Sequence, residues 1–183
     1  LPVKTTLIPD YEIVRKFGGG VSTMNDIDTS NWKEFKLCEL FDSVSGDTDI
    51  KKEHINNKGI NVITAGESNY GILGKTDIKA KTITEKTITI DMFGNCIYRE
   101  YPYKMVTHAR VFALIPKYKI DNEIGLYLSV LLGKITQGFE YNNMCSWNKI
   151  KDLSIKLPVK EVEEIDWNYM EKYIRAMEKV VIA

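Results

Sequence analysis

The sequence predicts an α+β fold, with strands through its centre and helices toward its C-terminus. Short β-branched runs separated by glycine and asparagine fill residues 60–115. Apolar residues at helical spacing fill residues 122–137 and again 166–181. The 183 residues are 44% hydrophobic and 27% charged. That composition excludes wholesale disorder and builds a core without metal or disulfide.

Each element has its own reason. Ile60-Asn61-Val62-Ile63-Thr64 is short and β-branched and meets Ala65-Gly66. Lys81 to Asp91 alternates isoleucine with threonine, as a half-exposed strand does. Val111-Phe112-Ala113-Leu114-Ile115 is a continuous apolar run stopped by Pro116, which suits a buried strand. In residues 122–137, Ile124, Leu128, Leu131, Leu132 and Ile135 share a helix face, with Asp121 or Asn122 as cap. Leu153-Ser154-Ile155-Lys156-Leu157 alternates and ends at Pro158.

The last helix is expected from Asp166 to about Val181. Met170, Tyr173, Met177 and Val180 follow a 3-4-3 spacing, the stripe of a helix–helix interface about two heptads long. Periodicity leaves two partners open: the chain's own domain, or a second helix in a coiled coil. Leu1-Pro2-Val3-Lys4 recurs as Leu157-Pro158-Val159-Lys160. At the same offset Asp10-Tyr11 meets Asp166-Trp167, Val14 meets Met170 and Phe17 meets Tyr173, the pattern of one unit in a duplicated architecture. Gly18-Gly19-Gly20 ahead of Met24 equally fits foreign or linker sequence.

Charge is unevenly placed. The chain carries 25 basic and 25 acidic groups, yet residues 51–120 hold 12 basic and 6 acidic while residues 1–50 hold 5 and 9. A basic middle attracts a phosphate backbone even in a neutral chain. It is also the composition of a solvated surface. No apolar run reaches the roughly 20 residues of a membrane span, and the first residues lack a secretory pattern. Cys38, Cys96 and Cys145 form no CxxC pair, which points to a reduced, cytoplasmic compartment.

Catalytic patterns fall short. Asn69 to Thr76 ends like a phosphate-binding loop but lacks the first glycine and a following helix. Asp28, Glu34 and Lys36 loosely fit a metal-dependent nuclease pattern and equally fit a turn cap and a solvated strand. His54 and His108 lack partners at metal-ligand spacing. The expectation is a chain that is not itself an enzyme, with no cofactor and no metal.

An ordered set of pieces over residues 32–182 resembles the specificity subunit of type I restriction–modification systems and of related type IIB enzymes of the BcgI kind. Trp32 to Leu37 with Leu40-Phe41 looks like the opening strand of a target recognition domain. Thr87-Ile88-Thr89-Ile90 with Phe93-Gly94 and Tyr98 looks like its central region, and Val111 to Pro116 like a strand closed by proline. Phe139-Glu140-Tyr141 and Ile150 to Pro158 resemble its closing segment. Asp166-Trp167, Tyr169-Met170-Glu171 and Tyr173-Ile174 look like the start of the helical spacer.

The resemblance implies a mainly β target recognition domain with a C-terminal coiled-coil-type helix. It divides the chain into residues 1–23, a linker, tag or remnant of a preceding unit; 24–160, the recognition domain; and 161–183, the helical spacer. It implies sequence-specific recognition of double-stranded DNA, directing a methyltransferase (modification) subunit and, in type I systems, a restriction subunit. Full-length members carry two such units, so one unit implies a homodimer or a second specificity-type unit joined through the helix. Loop position and chemistry nominate Asn69, Tyr70, Lys75, Asn95, Arg99, Tyr101, Lys104, His108, Arg110, Asn142, Asn143 and Lys149 for DNA contact. Trp32 and Phe41 are expected in the core, and Trp147 in either place. The alternatives are a protein-interaction module using the C-terminal helix without DNA, or a stand-alone nuclease.

Overall fold

A computed structural model of the chain describes residues 29–161 and 164–182, with side chains through Glu178. Residues 1–23, Asp28 and the first copy of the internal echo lie outside the described residues.

Strand β1 (Lys33–Lys36) pairs antiparallel with β9 (Ser154–Leu157), Lys33 opposite Leu157. A single turn of helix, α1 (Leu37–Leu40), buries both leucines and swings the chain into β2 (Phe41–Ser45). The expected single opening strand is thus two strands in two sheets. A four-stranded antiparallel sheet runs β2, β8 (Phe112–Pro116), β5 (Thr87–Ile90), β6 (Cys96–Arg99). A three-stranded sheet runs β4 (Ile72–Thr76), β3 (Ile60–Ile63), β7 (Tyr103–Met105), with β3 and β7 parallel.

Three layers result, and strand periodicity sorts side chains between them. Ile88 and Ile90 of β5, with Phe112 and Leu114 of β8, belong to a core shared with helix α2 (Asn122–Ile135). Val111, just ahead of β8, and Ala113 and Ile115 on it pack with the three-stranded sheet, in a core with Val62, Ile63, Tyr103 and Met105. The threonines of β5 face that way too, which corrects the half-exposed reading of Lys81 to Asp91. All four residues of β5 are buried, and residues 77–86 form a loop rather than a strand, bridged to β7 at Ile83–Tyr103 and bonded to β6 through Lys86 N and Arg99 O at 2.7 Å. Each buried threonine hydroxyl is partnered: Thr87 Oγ1 with Tyr103 Oη at 2.7 Å, Thr89 Oγ1 with Ile97 O at 3.3 Å.

Helix α2 starts as expected. The Asp121 carboxylate accepts from Ile124 N at 2.9 Å, which satisfies one of the orphan amides of the first turn. The helix lies close on β6 because position 125 is glycine; a Cβ there would meet the Tyr98 ring at 2.1 Å. Short helix α3 (Trp147–Ile150) buries Ile150 and leaves Trp147 half-buried against the larger core. Phe41 is 1% exposed and Trp32 packs against the same core.

Helix α4 (Trp167–Ile182) is capped by Asp166, whose carboxylate accepts from Tyr169 N at 3.0 Å. Its stripe turns inward on the chain's own domain. Met170 is 0% exposed, Tyr173 meets Tyr127 of α2 edge-on with ring centroids 5.9 Å apart, and Trp167 packs on Tyr118 at 5.2 Å. Arg175 bridges Glu123 of α2 at 3.3 Å and Glu171 at 2.6 Å. Met170 and Tyr173 therefore form a helix–helix interface within the chain, and the core runs across the expected boundary at residue 160. A coiled coil is not part of the described structure. The side chain of Val180 lies outside it.

Candidate nucleic-acid interface

Strand direction brings four connections to one end of the molecule, and a fifth, after helix α2, reaches the same end. Ser45 ends β2 opposite Phe112 at the start of β8. Ile90 ends β5 opposite Phe112 and opposite Cys96 at the start of β6. Ile63 ends β3 beside Met105 at the end of β7 and opposite Ile72 at the start of β4. The loops at residues 46–50, 64–71, 91–95 and 106–111 therefore leave the same edge, and residues 138–149 join them.

Side chains stitch these loops together. His108 Nδ1 lies 2.6 Å from Asp49 Oδ1, joining two of them. Asp91, only 4% exposed, accepts from Gly66 N at 2.8 Å, Phe93 N at 2.9 Å, Asn95 N at 3.0 Å and Asn95 Nδ2 at 2.9 Å. Phe93 reaches the Tyr141 ring at 6.2 Å between centroids. Gly94 holds this corner against α2: its φ is +86°, and a Cβ there would meet Thr136 O at 2.0 Å. The Asp47 carboxyl accepts from Lys81 N at 2.8 Å, and that amide holds it below the usual carboxylate range.

At this end opens a surface cleft of about 620 Å³. Ser43, Ser45 and Arg110 line one wall, and Tyr141, Asn142 and Lys149 line the other. Lys149 Nζ donates to Asn143 Oδ1 at 2.8 Å and to Met144 O at 2.7 Å, which fixes the shape of the second wall. Tyr141 is 73% exposed and Tyr70, on the neighbouring loop, 72%. Tyr70 and Asn69 both have left-handed backbones (φ 53° and 49°), as does Arg110 (φ 53°). Such residues each cost roughly 1–3 kcal/mol and are over-represented at functional sites. Asn57 and Lys86 have the same sign elsewhere, so strain does not by itself mark the site.

The nominated residues divide cleanly. Asn69, Tyr70, His108, Arg110, Asn142, Asn143 and Lys149 come together here. Lys75 does not: it lies on β4 opposite Asn61, toward the far end. Tyr101 stands behind the edge, its hydroxyl accepting from the Arg99 guanidinium that also holds Tyr70 O. Arg99 and Lys104 are corrected to internal roles, while Asn95 is half-buried at the edge and helps to build the corner around Asp91. Arg99 is 1% exposed, and its guanidinium donates to Thr89 Oγ1, Tyr101 Oη and Tyr70 O. Lys104 is 7% exposed, its ammonium held by the carbonyls of Thr76 and Ile78. Asn95 spends its side-chain amide on Asp91. A buried cation bonded to internal oxygens is not available to phosphate. Sequence reasoning missed Ser43, Ser45, Tyr141 and Asp91. The Gly94-Asn95 turn after Asp91 was the one signal for the last.

Among the described residues the catalytic patterns find no support in this geometry. Lys75 and Thr76 lie within β4, so the Asn69–Thr76 segment enters a strand where a phosphate loop needs a helix. Glu34 and Lys36 are exposed on β1. Cys145 borders the cleft, but burial pushes its thiol up to about 12, leaving almost no thiolate at neutral pH.

A family model for the type I restriction modification DNA specificity domain matches residues 29–183. The chain belongs to that family. This specificity domain is 28% identical over 146 residues to the "Type II restriction enzyme BgcI specificity subunit S.BcgI" of Heyndrickxia coagulans, covering 78% of the chain and 42% of that protein. Its fold is similar to the S subunit of a type I restriction–modification system from M. genitalium, with a TM-score of 0.58 and 18% identity over 93% of this chain and 44% of that one. It is also similar to the HsdS subunit from Thermoanaerobacter tengcongensis, with a TM-score of 0.57 and 14% identity over 83% and 39%. The chain spans less than half the length of each of these relatives. The specificity domain is a non-catalytic component of such systems. Among the described residues no helix is long and apolar enough to cross a membrane.

Proposed function

We propose that the chain reads a double-stranded DNA sequence and directs a methyltransferase subunit to it, together with a restriction subunit where the system is of type I. In this reading residues 24–160 are the recognition domain and 161–183 the spacer helix, working in the cytoplasm beside a second copy or a second specificity-type unit. The single observation that carries it is the convergence of five loops at one edge. They bring Arg110, Tyr141 and Asn142, all exposed, around one cleft, with the exposed Tyr70 on a loop at the same edge, in a domain of the DNA-specificity family. Arginine and asparagine present the paired donors and acceptors that distinguish base edges in the major groove. The extra lysines of residues 51–86 are suited to phosphates, which position without specifying.

The test is selection from a randomised duplex library by the chain assembled with the modification subunit of its own system. A defined consensus is expected, with log K falling linearly against log salt. Assembly that proceeds normally while no duplex is preferred over random sequence favours the interaction-module reading instead. Turnover of DNA by the chain alone with Mg²⁺ favours the nuclease reading.

A further inference from the structure

We propose that Tyr70 is a specificity-determining residue whose ring contacts one or two adjacent base pairs, and that Asp91 and Arg99 are the positioning residues that hold its turn rigid. This deepens the DNA-recognition reading and rests on it.

The turn is held at both feet by buried side chains of opposite charge. At the first foot, the Asp91 carboxylate accepts from Gly66 N at 2.8 Å. The same group binds the amides of Phe93 and Asn95, so one carboxylate locks loop 64–71 to loop 91–95. At the second foot, Arg99 Nη2 donates to the carbonyl of Tyr70 itself at 2.8 Å. Its Nε and Nη1 are fixed by Thr89 Oγ1 at 3.0 Å and Tyr101 Oη at 3.3 Å. Among the described residues no ion pair joins Arg99 to a carboxylate. Burying a guanidinium against neutral oxygens carries a desolvation penalty that an apolar residue would avoid. What the arginine gains over such a residue is the grip on the turn.

The turn needs that grip. Asn69 and Tyr70 adopt left-handed backbones in succession (φ 49°, ψ 38° and φ 53°, ψ 33°), followed by Gly71 at φ 68°. Side-chain-bearing residues disfavour this conformation, and it persists only where its surroundings over-determine it. A Cβ on Gly71 would meet Thr64 O at 2.8 Å, so the turn is closed on its inner side as well. The outcome is a tyrosine ring 72% exposed, outside both cores, at the edge where the loops converge. Packing does not account for it. A rigid aromatic group with few rotamers suits contact with a base face or sugar at low entropic penalty.

The experiment repeats the library selection on the full chain with its modification subunit, using Tyr70→Ala, Tyr70→Phe, Tyr70→Gly, Arg99→Met, Arg99→Lys and Asp91→Asn. Tyr70→Ala is expected to flatten preference about tenfold at one or two adjacent positions, leaving affinity for random duplex and its salt slope unchanged. Tyr70→Phe keeps the preference. Arg99→Met flattens the same positions and no others, with partial rescue in Arg99→Lys, and Asp91→Asn flattens them together with any position read from loop 91–95. Tyr70→Gly flattens them too but raises Tm by about 2–4 °C, because glycine relieves the backbone. An unchanged profile in Tyr70→Ala overturns the specificity role. Loss spread over every position in Arg99→Met and Asp91→Asn overturns the positioning role, and a lower Tm in Tyr70→Gly overturns the strained turn. If either buried variant fails to fold, the exposed Tyr70 variants still decide. A wild-type chain that selects no sequence defeats the DNA reading itself, and no substitution is needed to see it.

Discussion

Arg110 combines an exposed guanidinium with a left-handed backbone (φ 53°), and its amide closes a turn by donating to Thr107 O at 3.2 Å. The turn sets it on the cleft wall facing the segment that carries Tyr141, Asn142 and Lys149. A guanidinium there is suited to guanine, through paired bonds worth about 1–3 kcal/mol of discrimination. Arg110→Ala is therefore expected to weaken binding to the selected site by roughly 10- to 100-fold and to random duplex much less. Fluorescence anisotropy on both duplexes measures the difference. Equal losses on the two would reduce Arg110 to a phosphate contact. At this scale, residue chemistry was legible but burial was not. Arg99 and Arg110 have the same side chain and lie only eleven positions apart, yet one is internal and the other lines the cleft. The distinction comes from which way β6 faces in the sheet stack, and that needs the partner sheet.

Helix α4 shows the same division at the scale of elements. Its length, its Asp166 cap and its Met170–Tyr173–Met177 stripe were readable because helical period and capping are local. What the stripe meets is not local. Met170 sits at 0% exposure in a core with Ile165, Tyr127 and Leu157. Met170→Lys is thus expected to destabilise the whole domain by more than about 3 kcal/mol, since it buries an ammonium without a partner. Ala176→Lys, on the exposed side of the same helix, changes stability little. Urea unfolding followed by circular dichroism separates the two. A native midpoint for Met170→Lys with loss of assembly alone would return the stripe to an intermolecular role. Strand β5 teaches a related lesson. Its Ile–Thr alternation was correctly extended, but both faces are covered, so the threonines point at a second sheet rather than at water.

For the molecule as a whole, buried acids set the alkaline limit. Burial pushes the Cys96 thiol from an ordinary 9.0 to about 12, and raises Cys145, Tyr98 and Tyr173 to about 12 as well. Tyr103 and Tyr127 move the same way. Raised folded values stabilise fully below the unfolded values and progressively less as pH climbs toward the folded ones. Stability is therefore expected to hold to about pH 9 and fall between pH 9 and 12. Cys96 alone contributes on the order of 4 kcal/mol to that fall. Thermal melts across that range check it, and Cys96→Ala should flatten the curve. A melting temperature unchanged to pH 11 would contradict the burial of these groups.

The sequence by itself determined the α+β class, the strand and helix segments with their caps and breakers, and the family resemblance, because periodicity, turn chemistry and ordered motifs act within short stretches of chain. The neutral total charge and the basic middle were likewise readable at once. Only the tertiary structure decided that Arg99 and Lys104 are internal, that Met170 belongs to the domain's own core, and that Tyr70, Arg110, Tyr141 and Asn142 share one edge. Those outcomes depend on strand order and layer stacking. The pairs β5–β8 and β3–β7 join segments tens of residues apart, and no local pattern encodes which strand end meets which.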